Sequence, residues 1–433
     1  MKYFNKLKNI VNKKLGTGPE GAIFRNMAKL ATGTGIAKLL AIITAPIITR
    51  IYTPDHFGAL SLYVTLIGII APFCTLKYSL ALPLPKSDAI ATNLVVLIVF
   101  FVLVFSLIVL IILSVFGASL FGFFSMEILY PFWWIIPLSS IAIGFYELLI
   151  NWAIRKKTFA IIAKTKIWQQ LLGSSIKIGL GLLGIKPLGL LLGQLITQAG
   201  GVISLIKHSY NSIIINLNHI TRDTIKLVMK QYLQFPKYRL PSQFLMVLSV
   251  KIPILFSPIL FDISITGQLG LALTMIALPM SLFGQTTGEA YYGEIVRLGK
   301  DKSKEIYHIT ISIVKKLFIF SFVPFLLLLL LGPWLFITFF GSQWLEAGVF
   351  ARLLALSLLA QFIYSPIGNG LFNVLEKQSL VLLLNIIRIV LSTSVFIISY
   401  FFQLSPFITV GLYSIVLTIY YIFSFIFVIK LIK

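Results

Sequence analysis

The sequence predicts an all-α polytopic membrane protein: about twelve transmembrane helices in two six-helix bundles related by a parallel pseudo-two-fold repeat. Three observations lead there. The chain has 433 residues, of which 58% are hydrophobic and 11% charged, with a mean hydropathy of +0.98. A soluble globular chain is usually ~45–50% apolar and ~25% charged, so the apolar surplus needs lipid as its solvent. Apolar stretches of about 20 residues, enough to cross ~30 Å of hydrocarbon as a helix, recur along the chain. Positive charge falls almost wholly on one side of them.

Residues 1–26 form a basic N-tail. Its first twenty residues lack the apolar core of a secretory signal. Phe4, Leu7, Val11 and Leu15 share one face among lysines; this suits a short amphipathic helix on the cytoplasmic surface, with a disordered basic tail as the other reading. The N-terminal bundle, 27–206, holds spans at 27–50, 57–76, 91–116, 131–152, 160–184 and 187–206. Residues 207–235 are a basic cytoplasmic linker. The C-terminal bundle, 236–433, holds spans at 236–260, 267–290, 310–332, 346–371, 379–402 and 407–429. An even number of spans puts both termini on one side.

The basic residues say which side. Of 36 Lys and Arg, only Arg50 and Lys186 fall at the far side of the spans. Lys38, Lys177, Lys251, Arg352 and Arg388 lie deeper within spans, and the rest crowd the N-tail, the central linker, loops such as 155–157 and 297–304, and the span ends that adjoin them. Short loops rich in Lys and Arg stay cytoplasmic, so both termini are expected inside. The same distribution accounts for most of the net charge of +23 without a nucleic-acid partner.

A repeat supports two bundles. Pro46-Ile47-Ile48-Thr49-Arg50-Ile51 followed by Phe57-Gly58 matches Pro258-Ile259-Leu260-Phe261-Asp262-Ile263 followed by Leu269-Gly270, with Lys38 and Lys251 one residue out of register. Each stretch ends a helix, crosses a short outer loop and starts the next. Parallel repeats with a binding site between the halves are a frequent transporter design.

Motifs for enzyme chemistry are missing. Gly16-x-Gly18-x-x-Gly21 and Gly179-x-Gly181-x-x-Gly184 do not follow strands, as dinucleotide binding requires; Gly179 and Gly181 suit close helix packing instead. No P-loop, H-E-x-x-H, G-x-S-x-G or C-x-x-C occurs, the four histidines are scattered, and the one cysteine, Cys74, lies in an apolar segment as a packed thiol. No metal or cofactor is expected beyond a coupling ion, H⁺ or Na⁺.

The charges inside the spans carry more information. Such a residue costs ~2.5–3.5 kcal/mol at a helix centre on insertion scales and usually faces a cavity or a partner. Lys38, Arg50, Lys177, Lys251, Arg352 and Arg388 are the candidate substrate-binding residues of a cationic cavity. Glu147, Asp55, Asp262 and Glu289 are the candidates for ion coupling. The positive balance suits an anion, and phosphate matches Lys and Arg. Two other placements stay open: Arg50 and Arg352 lie near helix ends, within snorkelling reach of the interface, and Lys177 has Glu147 as a candidate partner. Tyr291, Gln285 and Gln361 are candidates for sugar contacts. Prolines within the spans, among them Pro46, Pro253, Pro258, Pro279 and Pro366, would kink helices.

Three stretches resemble a known family. Ala31-Thr32-Gly33-Thr34-Gly35-Ile36-Ala37 with Pro46–Gly58, then Leu76-Lys77-Tyr78-Ser79-Leu80-Ala81-Leu82-Pro83-Leu84-Pro85-Lys86, then Phe340–Gly348 with Ser365-Pro366 and Phe372–Gln378, are similar to bacterial oligosaccharide flippases. These form the polysaccharide-transporter branch of the multidrug/oligosaccharidyl-lipid/polysaccharide exporter superfamily. The usual family pattern has Arg and Glu where this chain has Lys77 and Ser79. The resemblance implies movement of undecaprenyl-pyrophosphate-linked oligosaccharide, such as an O-antigen unit, from the cytoplasmic to the periplasmic leaflet of the bacterial inner membrane, without ATP. It implies the lipid-linked oligosaccharide and membrane lipids as partners, with polysaccharide polymerase machinery as a further one. The rival readings are a multidrug/ion antiporter of the same superfamily, a peptidoglycan lipid-precursor flippase, and a membrane glycan polymerase or ligase. Few buried acids and short outer loops count against the first and last.

Overall fold

The computed structural model describes residues 19–215, 217–299, 302–375 and 377–432. The lysine-rich start of the N-tail, and with it the expected amphipathic helix, lies outside the described residues. These form fifteen α-helices: α1 (Pro19–Ile51), α2 (Pro54–Cys74), α3 (Asp88–Phe123), α4 (Ile135–Arg155), α5 (Phe159–Leu182), α6 (Leu188–Ala199), α7 (Val202–Ile214), α8 (Arg222–Gln231), α9 (Leu240–Leu260), α10 (Ile263–Pro279), α11 (Gln285–Leu298), α12 (Ser303–Phe340), α13 (Leu345–Val374), α14 (Gln378–Phe401) and α15 (Pro406–Ile432). No strand occurs among the described residues.

Among the described residues, ten helical segments are long and apolar enough to cross a membrane. They match ten of the twelve predicted spans, and the two exceptions have physical causes. The fifth position, α5, is 24 residues long but carries Lys164, Lys166 and Lys177. The eighth is broken: α10 ends at Pro279, a wider π-turn covers Met280–Gly284, and α11 continues. Proline lacks the N–H that would continue the ladder, so a break beside Pro279 is expected chemistry. Gly284 and Gly288 give this broken segment its close fit against Pro366 of α13.

Helix ends follow local chemistry. The Asp262 carboxylate accepts from the Ile265 amide at 2.7 Å and starts α10. α2 starts with Pro54 in its first turn, and the Thr53 amide donates to His56 Nδ1 at 3.2 Å. Asp55 and Asp262 are therefore exposed acids at helix N-termini, where a negative charge is favourable. Helix α1 begins at Pro19, several residues before the predicted start of the first span.

The same packing pairs recur in both halves. In the first, α1 packs on α5, α5 on α6, α3 on α4, and α2 on α4. In the second, α9 packs on α14, α14 on α15, α12 on α13, and α10 on α13. The repeat is thus real, but its register differs from the sequence match. A Cβ on Gly58 would fall on the carbonyl oxygen of Ile263, and one on Gly267 on that of Pro54. This reciprocal contact pairs Gly58 with Gly267 and Pro54 with Ile263, not Gly58 with Gly270. Lys38 and Lys251 are then about one helical turn apart in depth. Apolar helices resemble themselves at shifts of three or four residues, which makes a short match slip by a turn.

The linker is not a free connector. After α7, Thr221 caps α8 through the Thr224 amide. Val228 is buried against the first bundle, and Tyr78 donates to the Met229 carbonyl at 3.0 Å.

Candidate substrate cavity

The two bundles meet along α2, which packs on α9 and α10, and where α1 touches α12. Between them lies a cavity of about 1000 Å³ lined by α1, α2, α5, α6, α9–α11 and α13–α15.

One end of the cavity is sealed. The first turns of α2 and α10 cross at the Gly58–Gly267 contact, and Gly270 fits against Ser61. Beside them the α12–α13 loop of the second bundle closes on the end of α1. Gln343 Nε2 donates to the carbonyls of Thr49 (2.7 Å) and Tyr52 (3.2 Å), and Trp344 Nε1 donates to Thr49 (2.9 Å). Gln268 steadies this loop, donating to the Gln343 carbonyl and accepting from the Ala347 amide. The last carbonyls of a helix have no intrahelical partner, so the second bundle caps a helix of the first. The family-like block Phe340–Gly348 finds its role here. Toward the other end the lining reaches exposed Tyr292 and Asn373, in the last turn of α13.

Of the predicted binding residues, Lys177, Lys251 and Arg388 line the cavity. Lys177 is 8% exposed and donates to Gln194 Oε1 at 2.7 Å. Gly193 makes this possible: a Cβ there would collide with the Lys177 side chain. The Lys177 carbonyl in turn accepts from the Tyr52 hydroxyl at 2.7 Å. The Lys251 stem passes α2 beside Gly68. It has no hydrogen-bond or ion-pair partner among the described residues. Arg388 donates to the Tyr421 hydroxyl (3.3 Å), the Met246 carbonyl (3.4 Å) and the Ser249 hydroxyl.

The other candidates lie elsewhere. Lys38 shares a helix face with the lining residues Ala41 and Ala45, at i, i+3 and i+7, but is not itself part of the lining. Arg50 is exposed on the outer surface of α1, 3.5 Å from the Thr338 carbonyl. Arg352 is exposed and bonds the Leu330 carbonyl at 3.0 Å. Neither belongs to the lining of the central cavity; depth in a span does not set which way a side chain points. Tyr291 is buried on Thr310, away from the cavity, whereas Gln361 lines it. The side chain of Gln285 lies outside the described set.

The acids are corrected in the same way. Glu147 pairs with Lys77 at 3.0 Å, not with Lys177, and accepts from Ser79 (2.9 Å) and Thr75 (3.4 Å). Lys77 holds a left-handed backbone, φ 61°, at the turn leaving α2. A second clamp joins Arg155 and Lys156 to Asp88, with Arg155 also reaching the carbonyls of Leu82 and Pro85. The family-like stretch Leu76–Lys86 is thus the strapped loop between α2 and α3. Among the candidate acids only Glu289 lines the cavity, facing the field of Lys166 on α5. Among the described lining residues, three cations against one carboxylate leave the cavity positive.

Sequence reasoning missed the uncharged polar lining: Thr44, Thr65, Gln170, Gln194, Thr197 and Ser249. The signal was present, since amides are rare inside apolar spans, but charge drew attention first. Gly181 does pack closely, against Tyr52, while Gly179 faces open space. Cys74 is fully buried.

Two helical lobes of paired topology, each with helices long and apolar enough to cross a membrane, enclose a central cavity whose lining carries Lys177, Lys251 and Arg388. The chain belongs to the family described as polysaccharide biosynthesis protein, whose model matches residues 47–349. No curated protein matches the sequence. Solved structures share the fold. The lipid II flippase MurJ in an inward closed conformation is 17% identical with a TM-score of 0.68, covering 93% of this chain and 89% of that one. An inward-facing multidrug resistance MATE family transporter of the MOP superfamily is 15% identical with a TM-score of 0.65, and an outward-facing one 14% with 0.51, each covering 98% of both chains.

Proposed function

We propose that this protein carries a lipid-linked oligosaccharide, with a polyprenyl pyrophosphate such as undecaprenyl pyrophosphate as its anchor, from the cytoplasmic to the periplasmic leaflet of the bacterial inner membrane. The observation that carries the proposal is the charge of the cavity: Lys177, Lys251 and Arg388 against Glu289, in a member of a polysaccharide biosynthesis family. Pyrophosphate and sugars cannot cross hydrocarbon unaided; a cationic, wet cavity between lobes shelters them while the prenyl tail stays in lipid. The expectation that the Lys/Arg-rich loops lie inside supports a reading in which the sealed end faces the periplasm and substrate loads from the cytoplasmic end. A multidrug/ion antiporter would need carboxylates for a cationic cargo, and this cavity holds one.

The test is deletion followed by analysis of surface polysaccharide and of lipid-linked intermediates. Loss of the polymer with build-up of the intermediate is expected. Normal surface polysaccharide in the deletion strain would refute the proposal, and loss of viability through depleted cell wall would move it to the peptidoglycan precursor.

A further inference from the structure

The cavity is asymmetric in a way its net charge conceals. On the first-lobe wall, the one cation, Lys177, is already engaged by the amide of Gln194. Around it the lining is hydroxyl and amide: Thr197 on α6, and Gln170 bonding Ser174, which meets Thr44. On the second-lobe wall the cations are held differently. Every acceptor on Arg388 is neutral, and they come from two other helices, α9 and α15. Its Nε is buried with no hydrogen-bond partner among the described residues. Lys251 follows Ser249 by two residues on α9, both in the lining, and has no partner of its own. Tyr413 and Tyr421 complete this wall, with Tyr364 and Tyr420 packed behind Tyr421.

A guanidinium presents a planar fork that fits phosphate oxygens in pairs, and it cannot lose its charge. Holding it between Ser249 and Tyr421 removes rotamer freedom in advance, and the absence of a carboxylate among its partners leaves the charge for a ligand. Amides and hydroxyls offer donors and acceptors together, which is what sugar hydroxyls need.

We propose that Arg388, steadied by Ser249 and Tyr421, is the phosphate pole of the cavity, with Lys251 a second cation in the same lining, and that Gln170, Gln194 and Thr197 on the opposite lobe receive the first sugars. This rests on the flippase reading above and adds a direction to it: the substrate lies across the cleft, with its anchor on the second lobe and its glycan on the first. Each lobe then grips a different part of one molecule, and occupancy reports on both.

The test uses the full-length protein in nanodiscs and a sugar-free probe, farnesyl pyrophosphate, with inorganic pyrophosphate and an anionic phospholipid as separate arms. Binding of farnesyl pyrophosphate should weaken by at least about tenfold in Arg388→Gln, less in Arg388→Lys, and not at all in Gln170→Ala, whose loss should appear only with the glycosylated lipid. Inorganic pyrophosphate should compete, and the phospholipid should not. Melting temperatures confirm that each variant is folded, and Arg388→Lys keeps the charge in place should Arg388→Gln fail to fold. Wild-type binding that is unchanged in Arg388→Gln overturns the phosphate pole and leaves the flippase reading standing. A wild type that binds no prenyl pyrophosphate overturns both, and one that binds the phospholipid equally well reduces the site to a general lipid-phosphate contact and overturns the assignment.

Discussion

At the sealed end of the cavity Gln343 bonds across the lobes, and removing its side chain is the most direct test of how the lobes are held. In Gln343→Ala, two hydrogen bonds across the lobes vanish, to Thr49 at 2.7 Å and Tyr52 at 3.2 Å, while the bond from Gln268 to the Gln343 backbone survives. Such bonds contribute ~0.5–1.5 kcal/mol each. In the open state the same carbonyls reach water, so the loss falls on the closed state alone. The equilibrium should move toward opening by about 1–3 kcal/mol, a ~5–150-fold change in the ratio of states. Cys74 is the one native thiol and is buried, so Cys74→Ala provides a clean background. Thr65 lines the cavity, is fully buried, and has an unpartnered hydroxyl, so Thr65→Cys is a near-isosteric reporter. An impermeant maleimide added from the periplasmic side should label it faster in Gln343→Ala by a factor in that range. Equal labelling rates in two folded proteins would show that the α12–α13 loop does not hold the lobes closed.

Other outcomes follow from the same geometry. Gly267→Ala places a methyl on the Pro54 carbonyl; overpacking of this kind costs ~1–3 kcal/mol, seen as a lower melting temperature, and the cost should be non-additive with Gly58→Ala, so strictly additive losses would argue against one shared contact. Glu147→Gln breaks the half-buried pair with Lys77 and should lower stability while leaving the ion dependence of export unchanged; altered ion dependence would restore Glu147 as a coupling site. Arg352→Gln and Arg50→Gln, at exposed positions outside the cavity, should export at near wild-type levels, whereas Lys177→Glu should abolish export with the fold intact; a reversed pattern would defeat the cavity assignment. Moving two uncompensated negative charges outward gains ~4–5 kcal/mol at 100 mV, interior negative; flipping in proteoliposomes that ignores an imposed potential would exclude this driving force.

Length and periodicity of the apolar stretches were enough to read the helical class and ten of the twelve span positions, and the one-sided lysines set the expected orientation. Those properties are local: each span meets its own stretch of lipid, and each loop its own side of the membrane. The rotation of each helix was not legible. Lys177 and Arg352 look alike in sequence, yet one reaches Gln194 inside the cavity and the other an outer-surface carbonyl. A turn of ~100° per residue, set by neighbours far along the chain, decides which. The same holds for register, where Gly58 meets Gly267 because two backbones must approach without side chains, and for Glu147, whose partner Lys77 is set by a turn no periodicity announces. Composition determined that positive charge would be buried; only the packing of helix on helix decided which charges share a chamber, because contact between distant segments belongs to the assembled lobes and not to any one of their spans.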